Sequence, residues 1–225
     1  MNRNLPTMRR QVLEGFALLI AVTAFMWAVE GINRLDGQRL DDWGGIRPRN
    51  IGDLWAVFTS WFLHANFSPH LIDNTIPFLF MGAFIAIAGA RRLAAVTAIV
   101  ILVGGVGTWL LAPSHTITFG ASGVVFGFAT YLFARGLFDR NVPELLVGVV
   151  VGVVWGAALV DSVVPHQGVS WQAHLCGAVG GVVAAYMLAT RSRRGARTGG
   201  SGTARQATPD PLQAHHDALD RVLSR

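Results

Sequence analysis

The sequence predicts an all-α polytopic membrane protein, a bundle of six transmembrane helices. Three observations carry this reading. The chain is 52% hydrophobic and only 14% charged, whereas a soluble globular domain is roughly 25% charged. Its apolar residues fall into six runs, each near the ~20 residues that cross a hydrocarbon core. Its basic residues, all arginines with no lysine, gather at the ends of those runs. A pI near 10.9 would suit a nucleic-acid binder. Arginines at run ends instead fit membrane topology, so the expected partner is a lipid bilayer and not nucleic acid. At 225 residues the chain has the size of one domain. The exclusive use of arginine points to a GC-rich bacterial genome.

The first run extends from about Glu14 to Val29. Basic residues precede it, as in a signal peptide, but it lacks a small-x-small cleavage site and further spans follow, so it reads as a retained helix. The second run is His70 to Ala90, the third Leu93 to Ala112, the fourth Gly120 to Phe138, the fifth Pro143 to Val160 and the sixth Trp171 to Thr190. Between the first two lies a long loop, Gly31 to Pro69, containing Trp43, Trp55, Phe58, Trp61 and Phe62. Aromatic-rich loops beside helix ends often lie in the membrane interface. Residues 1–10 read as a cytoplasmic N-terminus, 11–190 as the helical domain, and 191–225 as a disordered, arginine-rich cytoplasmic tail. His215 and His216 in that tail read as solvated residues, and no metal ligand set is expected.

Arginine placement sets the orientation. Arg3, Arg9 and Arg10 precede the first span, Arg91 and Arg92 join the second and third, Arg135 and Arg140 join the fourth and fifth, and Arg191, Arg193, Arg194 and Arg197 follow the sixth. With both termini inside, all of these face the cytoplasm. The outer loops hold Arg34, Arg39, Arg47 and Arg49, offset by Asp36, Asp41, Asp42 and Asp53. The positive-inside rule therefore favours six spans with both termini cytoplasmic, in the inner membrane of a bacterium.

Polar side chains inside spans are expensive and are functional candidates by default. His70, Asn74, Ser122 and His174 stand out. Each has a plainer reading: an intramembrane Ser bonds to its own backbone, a His bridges helices, an Asn caps. The topology, however, puts all four near the outer starts of the second, fourth and sixth spans, which run in the same direction. Four polar residues at one depth on three co-directional helices point to a site. Glycine spacing adds to this. Gly123 and Gly127 on the fourth span, and Gly177 and Gly181 on the sixth, recur every four residues and let backbones approach closely. Packing of those faces would bring Ser122 and His174 within reach. The fifth span carries its own series, Gly148, Gly152 and Gly156. The single cysteine, Cys176, excludes an internal disulfide and reads as a small packing residue.

Gly120-Ala121-Ser122-Gly123 resembles the GxSG motif of the rhomboid intramembrane serine proteases. Trp171 to Gly177, followed by Gly180-Gly181, is similar to that family's catalytic-histidine helix, and His70 to Asn74 to its HxxxN element. Phe62-Leu63-His64-Ala65-Asn66 resembles the lead-in to HxxxN. The resemblance covers roughly residues 11 to 190. The order HxxxN, GxSG, His at the starts of alternate spans is more specific than any one motif. Two details depart from the pattern. The His64–His70 spacing is slightly long, with Ser68-Pro69 extending the turn. Phe126 stands where a tyrosine is common.

The resemblance implies a six-helix bundle and hydrolysis of transmembrane protein substrates. It makes Ser122 the nucleophile, His174 the general base, and His70, Asn74 and the Ser122 backbone the oxyanion donors, with Gly120, Gly123, Phe126 and Gly177 shaping the site. The chemistry agrees. A serine hydroxyl needs an adjacent base, and a tetrahedral intermediate needs preorganised donors. No carboxylate lies near His174 in its span, and Asp161 is expected on the outer loop. A Ser–His dyad oriented by apolar packing against Phe126 is therefore expected, with no cofactor. The linker Asp161 to Ser170 could cap the site, with Gly168 as its flexible point. Alternatives are an inactive rhomboid-like client-binding protein, which would usually lack Ser or His, and a small transporter, which would more often carry an intramembrane carboxylate or repeated halves. Nothing in the sequence sets an oligomeric state.

Overall fold

The computed structural model describes residues 5–139, 142–162, 164–165 and 168–199. The chain divides into a unit spanning Met1–Ala189 and a second unit, Thr190–Arg225. The described residues form helices and no strand; Ile46 and Thr118 form an isolated antiparallel bridge. Among them eight α-helices follow one another: α1 (Leu5–Leu35), α2 (Arg39–Gly44), α3 (Ala56–Thr59), α4 (Ile72–Ala86), α5 (Ala90–Leu111), α6 (Ser122–Asp139), α7 (Val142–Ser162) and α8 (Trp171–Gly199).

The six apolar runs of the sequence are the six long helices α1 and α4 to α8. Pro6–Leu35, Ala90–Leu111, Leu145–Ser162 and Trp171–Ala189 are long and apolar enough to cross a membrane. Helix α4, with 15 residues, is shorter. Helix α6 is more polar, carrying Ser122, Thr130, Arg135 and Asp139. Large apolar side chains cover the outside, among them Ile20, Leu102, Phe133 and Val153, which lipid accommodates and water does not. The core is also apolar: Phe78 stacks on Phe128 at 5.4 Å, beside Met81, Ile85, Val96, Val100 and Ala184.

Helix ends differ from the expected boundaries in informative ways. Helix α1 begins at Leu5 and runs to Leu35, well beyond Glu14–Val29 at both ends, because polar residues extend a nucleated helix cheaply. The backbone of α8 likewise continues through Gly199, into the segment expected to be disordered; residues 200–225, His215 and His216 included, lie outside the described residues. Asp161, expected on the outer loop, belongs to the last turn of α7.

The regular part of α4 starts only at Ile72. Before it, Phe67–Leu71 forms a π-type turn in which Ser68 is extended (φ −134°, ψ 128°). Ser68-Pro69, which lengthens the His64–His70 spacing, lies inside this turn. The Asn66 side chain accepts the His70 N–H at 3.0 Å and so caps the turn.

The long first loop is built of short helical pieces. Asn33 Oδ1 accepts the Leu40 N–H, and Asn33 Nδ2 donates to Asp41 Oδ1 at 2.9 Å, tying α2 to the end of α1. Trp43 and Trp55 pair at 4.4 Å with Trp43 well exposed. Phe58 is exposed too, whereas Trp61 turns inward.

Close approach of α6 and α8 is made by the glycines. A Cβ on Gly177 would overlap the Gly123 carbonyl oxygen, and one on Gly181 the Gly127 carbonyl oxygen. Thr130 Oγ1 adds a bond across the same seam to the Ala178 carbonyl, 2.7 Å. On α7 only Gly148 packs closely, against the Phe133 backbone; a Cβ placed on Gly152 or Gly156 would meet nothing within 4 Å.

The helix ends sort by direction. The N-terminus of α1 meets the α4–α5 turn, where Gly89 approaches Gln11. Arg92, at the start of α5, donates to the hydroxyl of Tyr131, midway along α6, at 3.4 Å, and Arg135 donates to the same oxygen at 2.8 Å. The starts of α4, α6 and α8 lie together elsewhere, around a shared cavity.

Candidate active site

A cavity of about 790 Å³ opens between the starts of α4, α6 and α8, and His70, Asn74, Gly120, Ser122 and His174 all line it. All four polar residues singled out from the sequence are therefore brought to one place.

Ser122 is the first residue of α6. Its backbone N–H is among those left without an intrahelical partner, at the positive end of the helix dipole. Gly120 precedes it with φ +121°, a conformation that L side chains rarely adopt, and its N–H is anchored on the Ser60 carbonyl at 2.9 Å. A side chain here would also press on His70, whose Nε2 lies 3.0 Å from the site of a Gly120 Cβ.

His174 sits in the first turn of α8 and is buried. Its Nε2 lies 2.8 Å from Ser122 Oγ, and its Nδ1 lies 2.7 Å from the Ser162 carbonyl oxygen. A carbonyl can only accept, so Nδ1 carries the proton. Nε2 is then an acceptor, and the Ser122 hydroxyl donates to it. The Phe126 ring stacks on the imidazole, 4.4 Å between centroids and 1° from parallel. The aromatic packing expected from sequence is thus present. The Ser162 contact was not expected, because any residue offers a carbonyl and no sequence signal marks this one.

His70 is held by its neighbours in a matching way. The Ala65 N–H donates to His70 Nδ1 at 3.2 Å. In the neutral ring Nε2 then bears the proton, facing Gly120 and the cavity. Asn74 is buried and spends one amide hydrogen on the His70 carbonyl at 3.0 Å. The other hydrogen remains for a ligand in the cavity.

His64, read from the sequence only as part of a lead-in, supports this arrangement from beneath. It is fully buried. Its Nδ1 donates to the Phe62 carbonyl at 3.3 Å, and its Nε2 accepts the Ala121 N–H at 3.4 Å. Burial drives its pKa down to about 3, helped by the nearby His70. It is a neutral bracket between the first loop and the turn before Ser122.

The end of α7 and the linker after it border the cavity through Ser162, Pro165, Gly168, Val169 and Ser170. Gly168 has φ +77°. Cys176, two residues after His174, is buried and packs against Gly107, a packing residue as expected. Among the described residues no group of three His, Cys, Asp or Glu side chains could hold a metal ion.

Comparison with known families settles the kinship. The model of the Rhomboid domain matches residues 51–191, which hold every residue named above as lining or supporting the site. The chain belongs to the rhomboid family. Among relatives of this rhomboid, an uncharacterized protein of Mycobacterium tuberculosis is 41% identical over 208 residues, covering 86% of each chain. An uncharacterized protein of Mycobacterium leprae is 38% identical over 195 residues, 83% of this chain and 76% of the relative. YdcA of Bacillus subtilis, described as a candidate rhomboid protease, is 27% identical over 144 residues, 64% of this chain and 71% of its own. Family and apolar helices together make it a membrane protein.

Proposed function

We propose that this rhomboid is an intramembrane serine endopeptidase that cleaves transmembrane proteins. The carrying observation is the 2.8 Å contact between Ser122 Oγ and His174 Nε2, with Nδ1 engaged elsewhere. That geometry makes Nε2 the base. As Ser122 Oγ attacks a peptide carbonyl, its proton passes to Nε2; the imidazolium then protonates the leaving amine. Water attacks the acyl-enzyme by the same route in reverse, and the carboxylic product leaves. Ser122 N–H, His70 Nε2–H and the free Asn74 amide hydrogen are the oxyanion donors.

We place the protein in the bacterial inner membrane, with six spans and both termini cytoplasmic. Arginine placement and the common direction of α4, α6 and α8 support this. The cavity then opens near the outer face, where water is at hand. Helical carbonyls are already hydrogen-bonded, so a substrate helix must unwind before attack. Substrates should carry small or helix-breaking residues near that face.

The test is incubation of the purified protein with a generic transmembrane substrate and with a fluorophosphonate probe. Wild type should cleave and label; Ser122→Ala and His174→Ala should do neither while remaining folded. Near-full activity in either variant would refute the dyad.

A further inference from the structure

We infer that the main-chain carbonyl of Ser162, at the C-terminus of α7, serves as the third member of the Ser122–His174 relay, so that competence depends on how α7 is seated. This rests on the proteolytic reading of the site. Ser162 is the last residue of α7, and its carbonyl is among those a helix leaves without an internal partner. Its neighbours are otherwise engaged. The Val164 N–H takes the Asp161 carbonyl at 3.0 Å. The Ser162 hydroxyl turns back to the Ala158 carbonyl at 2.7 Å. What meets His174 Nδ1 at 2.7 Å is the backbone oxygen, not the side chain.

The carbonyl does what Phe126 cannot. Stacking fixes the plane of the imidazole but leaves its direction within that plane free. An acceptor at Nδ1 fixes the direction and the tautomer together, leaving Nε2 unprotonated toward Ser122. In a Ser–His–Asp triad a carboxylate has this duty. Here a helix C-terminus, which carries partial negative charge, faces the imidazolium as it forms. No proton moves to the carbonyl. The proton from Ser122 rests on Nε2, and Nδ1–H keeps its bond throughout.

The acceptor sits on the more exposed half of its helix, where Trp155 and Leu159 face the core. Toward its other end α7 is packed through Gly148 against Phe133. Farther along, Trp155 meets Phe80 of α4 at 4.8 Å. Gly152 and Gly156 have open space where a Cβ would stand, and Val153 and Val160 are 79% and 67% exposed. A shift of this outer part of α7 would withdraw the oxygen from Nδ1 without disturbing the glycine-packed α6–α8 seam that carries Ser122 and His174.

The experiment uses the full chain in nanodiscs with ¹⁵N-labelled histidine. Replacing the 162–163 amide by an ester weakens the Ser162 carbonyl as an acceptor and leaves every side chain in place. An ester at the 153–154 amide, which weakens the carbonyl of the exposed Val153 and leaves that of Ser162 intact, is the control. In wild type and in this control, the His174 nitrogens should report the Nδ1–H tautomer. The 162–163 ester should give mixed tautomers and a kcat about tenfold lower, the loss of one ordinary hydrogen bond, with KM unchanged. A wild-type tautomer and kcat in the 162–163 ester variant would overturn the inference. The tautomer signal needs no turnover, so a chain that neither labelled nor cleaved would refute the proteolytic reading and still answer this question.

Discussion

At the scale of single residues, the site separates groups that react from groups that hold. Asn74 and His70 each keep one donor free toward the cavity, because Asn74 spends one amide hydrogen on the His70 carbonyl and His70 Nδ1 accepts the Ala65 N–H. If both serve the oxyanion, Asn74→Ala and His70→Ala should each lower kcat by about 10²–10³ and leave KM nearly unchanged, because the charge develops only in the transition state. The two losses should not add, since both donors meet one oxygen. Steady-state kinetics in detergent checks this, and a large rise in KM at unchanged kcat would instead make these residues part of the substrate channel.

His64 gives a pH prediction of its own. Its folded pKa, about 3, lies below the ordinary histidine value of 6.5. Between those values the unfolded chain binds a proton that the folded protein refuses. Its contribution to stability is therefore present above pH 6.5 and is lost as pH falls toward 3, at up to about 1.4 kcal/mol per pH unit. Replacement by glutamine, which can keep both hydrogen bonds and does not titrate, should flatten the acid side of a Tm-against-pH curve. An unchanged acid slope in His64→Gln would show that other groups set it.

At the scale of elements, the seam between α6 and α8 places the base against the nucleophile. Gly123, Gly127, Gly177 and Gly181 allow two backbones to touch where a side chain on α8 would overlap a carbonyl of α6. Gly127→Leu and Gly177→Leu should therefore each destabilise the protein by about 1–3 kcal/mol or more, the usual cost of overpacking. They should abolish cleavage by separating Ser122 from His174. A thermal melt in detergent detects the first effect and fluorophosphonate labelling the second. The same substitution at Gly156, whose Cβ position is open, should leave both readings near wild type. This contrast was beyond the sequence, where the glycine series of α7 looks like those of α6 and α8. Spacing of small residues is local; whether a partner helix lies against them is not.

At the scale of the whole molecule, topology decides what the cavity meets. The arginines at the α1 start and around the α4–α5 turn lie at the end opposite the cavity, with Arg92 and Arg135 converging on Tyr131. With that end cytoplasmic, reporter fusions after Arg92 and after Arg197 should read as cytoplasmic, and a fusion in the loop near Asp42 as external. A reversed pattern would put the cavity on the cytoplasmic side and exclude the substrates proposed above.

The sequence by itself determined the helical membrane architecture, the identity of the polar residues at the starts of alternate spans, and the kinship that their order implies. These are legible because hydropathy is a local property and because Ser122, His174, His70 and Asn74 are chemically conspicuous in apolar runs. Tertiary structure alone decided which groups hold them. The Ser162 carbonyl, the Ala65 N–H on His70 and the two hydrogen bonds of His64 join residues distant in the chain or use backbone atoms that every residue carries. Asp161, the nearest carboxylate in the chain, drew attention in the sequence, yet the oxygen that meets His174 is that of the next residue's backbone. The position of a helix end relative to another helix selects that atom, and no residue type records it.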